Sequence, residues 1–273
     1  MDNVREIMEW YVEAGVDVLL EDSPINRFIE TPPPPRQKKQ SAIAASPAER
    51  LAKKVENQPR PALSKPQAVM PDSAAVEMAK ELALKVDSLD GLKKAMADFE
   101  GCNLKRTAKS LVFADGNPAA KIMLIGEAPE REEDIEGIPF VGRTGQLLDK
   151  MLAAIRLDRE SVYITNVIPW RPPGNRTPTP QETEICRPFI ERHIELVNPD
   201  VILVLGGSSA KTLLKTNDSI MKLRGEWMEI KTDKLTVKAI TTLHPAYLLR
   251  QPAHKRLAWH DLLSLKQSLK GYD

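Results

Sequence analysis

The chain has 273 residues, 42 % of them hydrophobic, and a formal net charge of +1. That is enough apolar material for one sizeable core, and too little charge for a global attraction to a polyanion, so any such binding needs local patches. Two cysteines, Cys102 and Cys186, exclude a disulfide framework and suit a reducing compartment. No apolar run is long enough to span a bilayer, and the start, MDNVREIMEW, lacks the basic-then-apolar order of a signal peptide; a cytoplasmic protein without membrane attachment is expected.

In chain order, Val4, Ile7, Met8, Tyr11, Val12 and Val16 recur at helical spacing and predict an amphipathic helix over residues 2–20, within an N-terminal segment 1–30. Either this helix packs on the rest of the protein or it docks a partner protein. The stretch 31–73, opening TPPPPRQKKQ, is rich in Pro, Ala, Ser, Lys and Gln and predicts a flexible linker. From residue 74 to 273 the pattern becomes α/β. Helices are predicted at 74–85 and 89–99. Strands follow at 121–126 (KIMLIG), 161–168 (SVYITNVI), 200–206 (DVILVLG) and 237–243 (VKAITTL), with helices at 144–156, 180–197, 208–215 and 254–270. The strands are nearly continuous apolar runs, as in a parallel sheet covered on both faces. Thr179, Pro180 and Glu182 form an N-cap, first-turn proline and capping box for the helix at 180. The alternation predicts a doubly wound sheet, whose ligands bind beyond the carboxyl ends of the strands.

Four segments leave those strand ends. The first holds Glu127, Glu132, Glu133, Asp134 and Phe140, and reads as an acidic loop; the second follows Asn166 and holds PWRPPGNRTP; the third is GGSSAK; the fourth is HPAYLLR, opening at His244. Phe140 offers a flat face to a planar ring, or is a core phenylalanine. Asn166 carries a donor and an acceptor on one planar group, which matches the N3–H and O4 of uracil and opposes cytosine, or it satisfies backbone at a strand end. His244 can donate to an oxygen gaining charge, or it is bonded within a turn before Pro245. GGSSAK suits one phosphate at a helix start, and Arg171 and Arg176 can reach phosphates or belong to a solvated loop. Arg250, Lys255 and Arg256 fit a phosphate contact or a solvated helix face. Glu127 follows its strand directly, where a carboxylate can orient water or stabilise a cation.

GEAP with the acids after it, PFVGRTGQLLD, YITNV, RPPGNRTPTP, NPDVILVLGG and HPAYLLR occur in order over residues 85–270. This set resembles the family-4 uracil-DNA glycosylases of bacteria and archaea, and the N-terminal extension looks like that of some alphaproteobacterial members. The resemblance implies a three-layer α/β/α domain with a central, mostly parallel four-stranded sheet. It implies hydrolysis of the N-glycosidic bond of uracil in DNA, leaving an abasic site for base excision repair. Its implied site comprises Glu127, Glu133 and His244 as catalytic groups, with Gly126, Ala128, Phe140 and Asn166 around the base. Arg171, Asn175, Arg176, Ser208, Leu248, Leu249 and Arg250 contact DNA, with the leucines entering the duplex where the base left. The partner is uracil-containing DNA, and the protein is expected to be a monomer.

Two departures stand out. The family's four-iron, four-sulfur cluster takes four cysteines, and the matching positions here hold Cys102, Lys105, Trp170 and Cys186. Two thiols cannot ligate that cluster, so no metal cofactor is expected; Trp170, with the stem of Lys105, is expected to fill the space beside two free, neighbouring thiols. Glu130 replaces a glycine, which puts backbone freedom at the site in doubt. A non-catalytic or weakly active nucleic-acid-binding member, and a nucleoside-processing enzyme on the same sheet, are the competing readings.

Overall fold

The computed structural model describes residues 72–269, so the predicted N-terminal helix and the linker as far as residue 71 lie outside the described residues. Chain order begins with three helices, α1 (Asp72–Lys85), α2 (Leu89–Asp98) and α3 (Asn103–Thr107), and continues through β1 (Asp115–Gly116) and β2 (Ile122–Gly126). Next come α4 (Arg131–Glu136), α5 (Gly142–Ala154), β3 (Tyr163–Asn166), α6 (Pro180–Val197), β4 (Val201–Leu205) and α7 (Gly207–Leu214). The chain then forms α8 (Ile220–Leu223), β5 (Trp227–Lys231), β6 (Thr236–Thr242), α9 (Pro245–Arg250) and α10 (Lys255–Ser268).

The sheet has six strands in the order β1-β3-β2-β4-β6-β5. Its four central strands are mutually parallel and correspond to the four predicted runs; β1 and β5 add antiparallel edges. The four-stranded expectation is therefore corrected to six. The edges escaped because β1 has only two residues and β5, WMEIK, buries only Ile230, so neither carries an apolar run.

Side chains alternate across a strand, and here both faces are apolar. Met123, Ile125, Tyr163, Ile202 and Val204 face a core shared with α1, α2 and α6. Ile122, Leu124, Ile164, Leu203 and Leu205 face a second core with α5 and α10. This is the physical content of a three-layer α/β/α arrangement. The predicted capping box on α6 is made: Glu182 N donates to Thr179 Oγ1 at 3.2 Å, and Thr179 N donates to Glu182 Oε2 at 2.8 Å.

Two segments read as loops are helical. The acidic stretch forms α4, where Glu130 N donates to Glu133 Oε2 at 2.5 Å and the helix ends at left-handed Gly137. HPAYLLR forms α9, with His244 as its N-cap and Pro245 in its first turn. Both are six residues long, under two turns, and too short to show a helical period.

Candidate active site

The carboxyl ends of β3, β2, β4 and β6 lie side by side. Gly126 and Asn166 are direct partners across the β2–β3 ladder. A Cβ placed on Gly126 would lie 2.3 Å from Asn166 Oδ1 and 2.5 Å from Phe140 Cζ, so only glycine lets the carboxamide and the ring close over this strand end. The Phe140 ring lies 5.6 Å from the His244 imidazole, tilted by 36°. His244 in turn packs on Gly206 at the end of β4 (φ +96°), where a Cβ would come within 3.0 Å of its own Cβ. Phe140, Asn166 and His244 thus surround one point.

Of these three, His244 also lines a cavity of about 220 Å³, whose walls include Glu127, Glu130, Asn175, Tyr247 and Arg250; Phe140 and Asn166 are not among its lining residues. Ala128 also lines it. Asn166 is buried, and its Nδ2 has no hydrogen-bond partner among the described residues. A buried amide donor left open costs about 1–3 kcal/mol, a cost that a ligand acceptor can recover.

His244 Nδ1 accepts a hydrogen bond from Ala246 N at 3.2 Å. That bond leaves the proton of the neutral ring on Nε2. Burial and the nearby Arg250 charge lower the imidazole pKa to about 4, so the ring is neutral at neutral pH. Glu127 is pushed above the ordinary carboxylate range by burial, opposed by a hydrogen bond from Ser208. That bond draws the GGSSAK segment to the same place.

Glu133 is not in the cavity wall. It is buried, and each of its oxygens accepts a backbone N–H: Oε2 from Glu130 at 2.5 Å and Oε1 from Phe140 at 2.6 Å. Burial raises its pKa to about 7 against those two bonds. Sequence reading expected a second catalytic acid here; in the structure both Glu133 oxygens hold backbone N–H groups. Glu130 has φ −92°, so the glycine usual there is not needed for a left-handed backbone, and its Oε2 accepts from Thr144 Oγ1 at 3.3 Å.

Arg159 escaped sequence reading. Its guanidinium donates to the carbonyls of Phe140 and Pro139 and pairs with Asp115 at 2.6 Å and Asp149 at 2.8 Å. Phe140 adopts φ +53°, costly for a non-glycine residue. Glu133 holds its N–H and Arg159 its carbonyl, while a Cβ on Gly145 would overlap that carbonyl at 1.5 Å. No local pattern marks Arg159, whose partners lie 10 to 44 positions away in the chain.

Among the proposed DNA contacts, Arg171 Nε donates to Asn175 Oδ1 at 2.6 Å, and Arg176 grips Glu182 with two bonds at 2.8 and 2.6 Å. Both arginines are thus braced by their own chain. Leu248, expected beside Leu249 as a wedge residue, is 1 % exposed and part of the core beneath α9, so its withdrawal would open that core. Leu249 is half-buried and Arg250 exposed.

At the positions matching a cluster, Cys102 and Cys186 are free, buried and hydrogen-bonded to each other. That bond and burial push the Cys186 thiol well up. Lys105 pairs with Glu100, and Trp170 is 2 % exposed. Two thiols, an engaged ammonium and a buried indole do not supply the four cysteinates of a four-iron, four-sulfur cluster. No group of three or more His, Cys, Asp or Glu residues able to hold a metal ion occurs among the described residues.

Comparison with known proteins meets this geometry. The profile of the uracil DNA glycosylase superfamily matches residues 113–263, which contain the whole site. The type-4 uracil-DNA glycosylase of Archaeoglobus fulgidus is 41 % identical over 171 residues, covering 61 % of this chain and 86 % of that protein. That of Thermotoga maritima is 40 % identical over 175 residues, covering 62 % and 88 %. That of Saccharolobus solfataricus is 37 % identical over 191 residues, covering 68 % and 88 %.

Proposed function

The chain belongs to the uracil DNA glycosylase superfamily, and from that premise we propose that it excises uracil from DNA by hydrolysing the N-glycosidic bond, leaving an abasic site for repair. The observation that carries the reading is the unpartnered, buried Nδ2 of Asn166 beside the Phe140 ring.

The target nucleotide first leaves the stack, at a cost of roughly a few kcal/mol. Phe140 stacks on the extruded base. Asn166 Nδ2 donates to O4 and its carbonyl accepts from N3–H; cytosine presents the opposite pair and is rejected. As the N1–C1′ bond breaks, its electrons pass to the base and positive charge develops on the sugar. His244 donates from Nε2 to O2 as that oxygen gains charge. The Glu127 carboxylate stabilises the sugar cation and orients the water whose hydroxyl adds to C1′; the proton released ends on uracil. Glu133 and Arg159 hold Phe140 and take no direct part.

Ser208, Asn175, Arg176 and Arg250 contact phosphates at the rim, Arg171 braces Asn175, and Leu249 is the apolar residue that enters the gap. The catalytic unit spans residues 74–273 and acts as a cytoplasmic monomer without a metal cluster. Anaerobically purified protein is expected to contain no stoichiometric iron and to show no visible charge-transfer band; four irons per chain would overturn that part.

The test is a gel assay on a uracil-containing oligonucleotide with alkali cleavage of abasic sites. The wild-type protein is expected to give cleavage and Asn166→Ala to lose it. Binding without product would make the protein a non-catalytic reader, and turnover of free nucleoside a small-molecule enzyme.

A further inference from the structure

Asp261 on α10 is 1 % exposed, lies outside the active cavity wall and takes no part in the steps above. Its carboxylate is engaged on both oxygens. Thr242 Oγ1 donates to Oδ2 at 2.7 Å, and Arg224 Nε donates to the same oxygen at 3.1 Å. Arg224 Nη2 donates to Oδ1 and also to the Leu257 carbonyl. Next to Arg224, Gly225 N donates to the Thr241 carbonyl at 2.8 Å, so the cluster is tied back to β6.

Thr242 is the last residue of β6 and stands two positions before His244. It is held in two directions. Its hydroxyl donates to Asp261, and its carbonyl accepts Gly206 N at 2.9 Å. Gly206 is the residue against which the His244 Cβ packs. Between Thr242 and His244 lies only Leu243, which is buried in the core with α10. The bond from Ala246 N sets the tautomer of the imidazole; where the ring stands is set by the backbone that carries it. A buried ion pair is a poor source of net stability, since packed apolar groups of the same volume do as well, but its directional bonds fix one geometry.

We propose that Asp261, braced by Arg224, is a positioning residue for excision: through Thr242 it fixes the end of β6 so that His244 Nε2 meets the base oxygen that gains charge. The inference rests on the glycosylase reading and extends it to a network that touches neither substrate nor imidazole. A donor to a developing charge works only in place, and a shift near 1 Å can cost roughly 10²-fold in rate.

The test uses the full chain, single-turnover excision from uracil and 5-fluorouracil oligonucleotides, and thermal melts. Thr242→Val keeps the branched shape and leaves Asp261 paired with Arg224. Its rate of bond breaking on uracil is expected to fall by about 10-fold or more with substrate affinity near wild type. Thr242→Ser, which keeps the hydroxyl, should recover most of that rate. Asp261→Asn should show the same loss together with a lower melting temperature. Two readouts separate positioning from loss of structure. 5-Fluorouracil leaves as a more stable anion and needs the His244 donor less, so Thr242→Val should lose less on it than on uracil. In a His244→Ala background, Thr242→Val should have little further effect, because the group it places is gone. Equal losses on the two bases, full multiplication of the two defects, or wild-type rates in Thr242→Val or Asp261→Asn would overturn the positioning role. An inactive wild-type protein would remove the glycosylase reading and this inference with it, an outcome distinct from each of those.

Discussion

The Oε1 atom of Glu133 accepts the backbone N–H of Phe140 at 2.6 Å, seven residues along the chain and across the turn that ends α4. This bond makes Glu133 a support for a residue whose backbone sits at φ +53°. It also separates two glutamates that sequence motifs leave equivalent. Glu127 lines the cavity, and Glu133, outside its wall, holds the backbone of Phe140.

The two acids should therefore fail differently. Glu133→Ala leaves the buried Phe140 N–H open, at roughly 1–3 kcal/mol of stability, together with the part-buried Glu130 N–H, and should raise KM as Phe140 loses its position. Glu127→Gln should leave KM and thermal stability near wild type while kcat falls by about 10²-fold or more. Steady-state kinetics and thermal melts on both variants check this; a pure kcat defect in Glu133→Ala would restore it as a catalytic acid.

Glu133 also gives stability a pH dependence. Its folded pKa, about 7, lies above its ordinary 4.5, so between these values the folded state holds the proton more tightly than the unfolded state. Stability should fall as pH rises through this window, by an amount that Glu133→Gln removes. Activity should follow other groups. Glu127 must be ionised, so excision should decline as pH falls through its raised pKa. His244, neutral down to about 4, sets no limb above that. In Glu127→Gln the residual activity should persist to lower pH than in wild type; kcat profiles of both proteins decide it.

Asn166 should govern the choice of base. Asn166→Ala removes both hydrogen bonds and is expected to lower kcat/KM by at least about 10²-fold. Asn166→Asp can present a protonated oxygen or an acceptor where the amide donates, and should relax discrimination against cytosine. Matched uracil and cytosine oligonucleotides measure the ratio; strict uracil specificity in the aspartate variant would count against base reading by residue 166.

The adjacent leucines of α9 should separate stability from duplex opening. Leu248→Ala removes a core side chain and is expected to cost about 2–5 kcal/mol. Leu249→Ala should melt like wild type and lose activity on duplex substrates more than on single strands. Chemical denaturation and paired substrates test this, and a stable Leu248→Ala protein would show the core assignment to be wrong.

The sequence by itself determined the four central strands, their parallel order of chemistry and most of the long helices, because apolar runs and capping signals are local and repeat within a few residues. It also placed Asn166 and His244 at strand ends, where a doubly wound sheet collects ligands, and Phe140 in a segment that leaves one. Only the tertiary structure decided which acid faces the cavity, which leucine is free, and that Arg159 and Gly145 fix the Phe140 carbonyl. Those facts depend on contacts between residues distant in sequence, where direction, burial and an occupied hydrogen bond set a side chain's role, and residue type alone carries none of them.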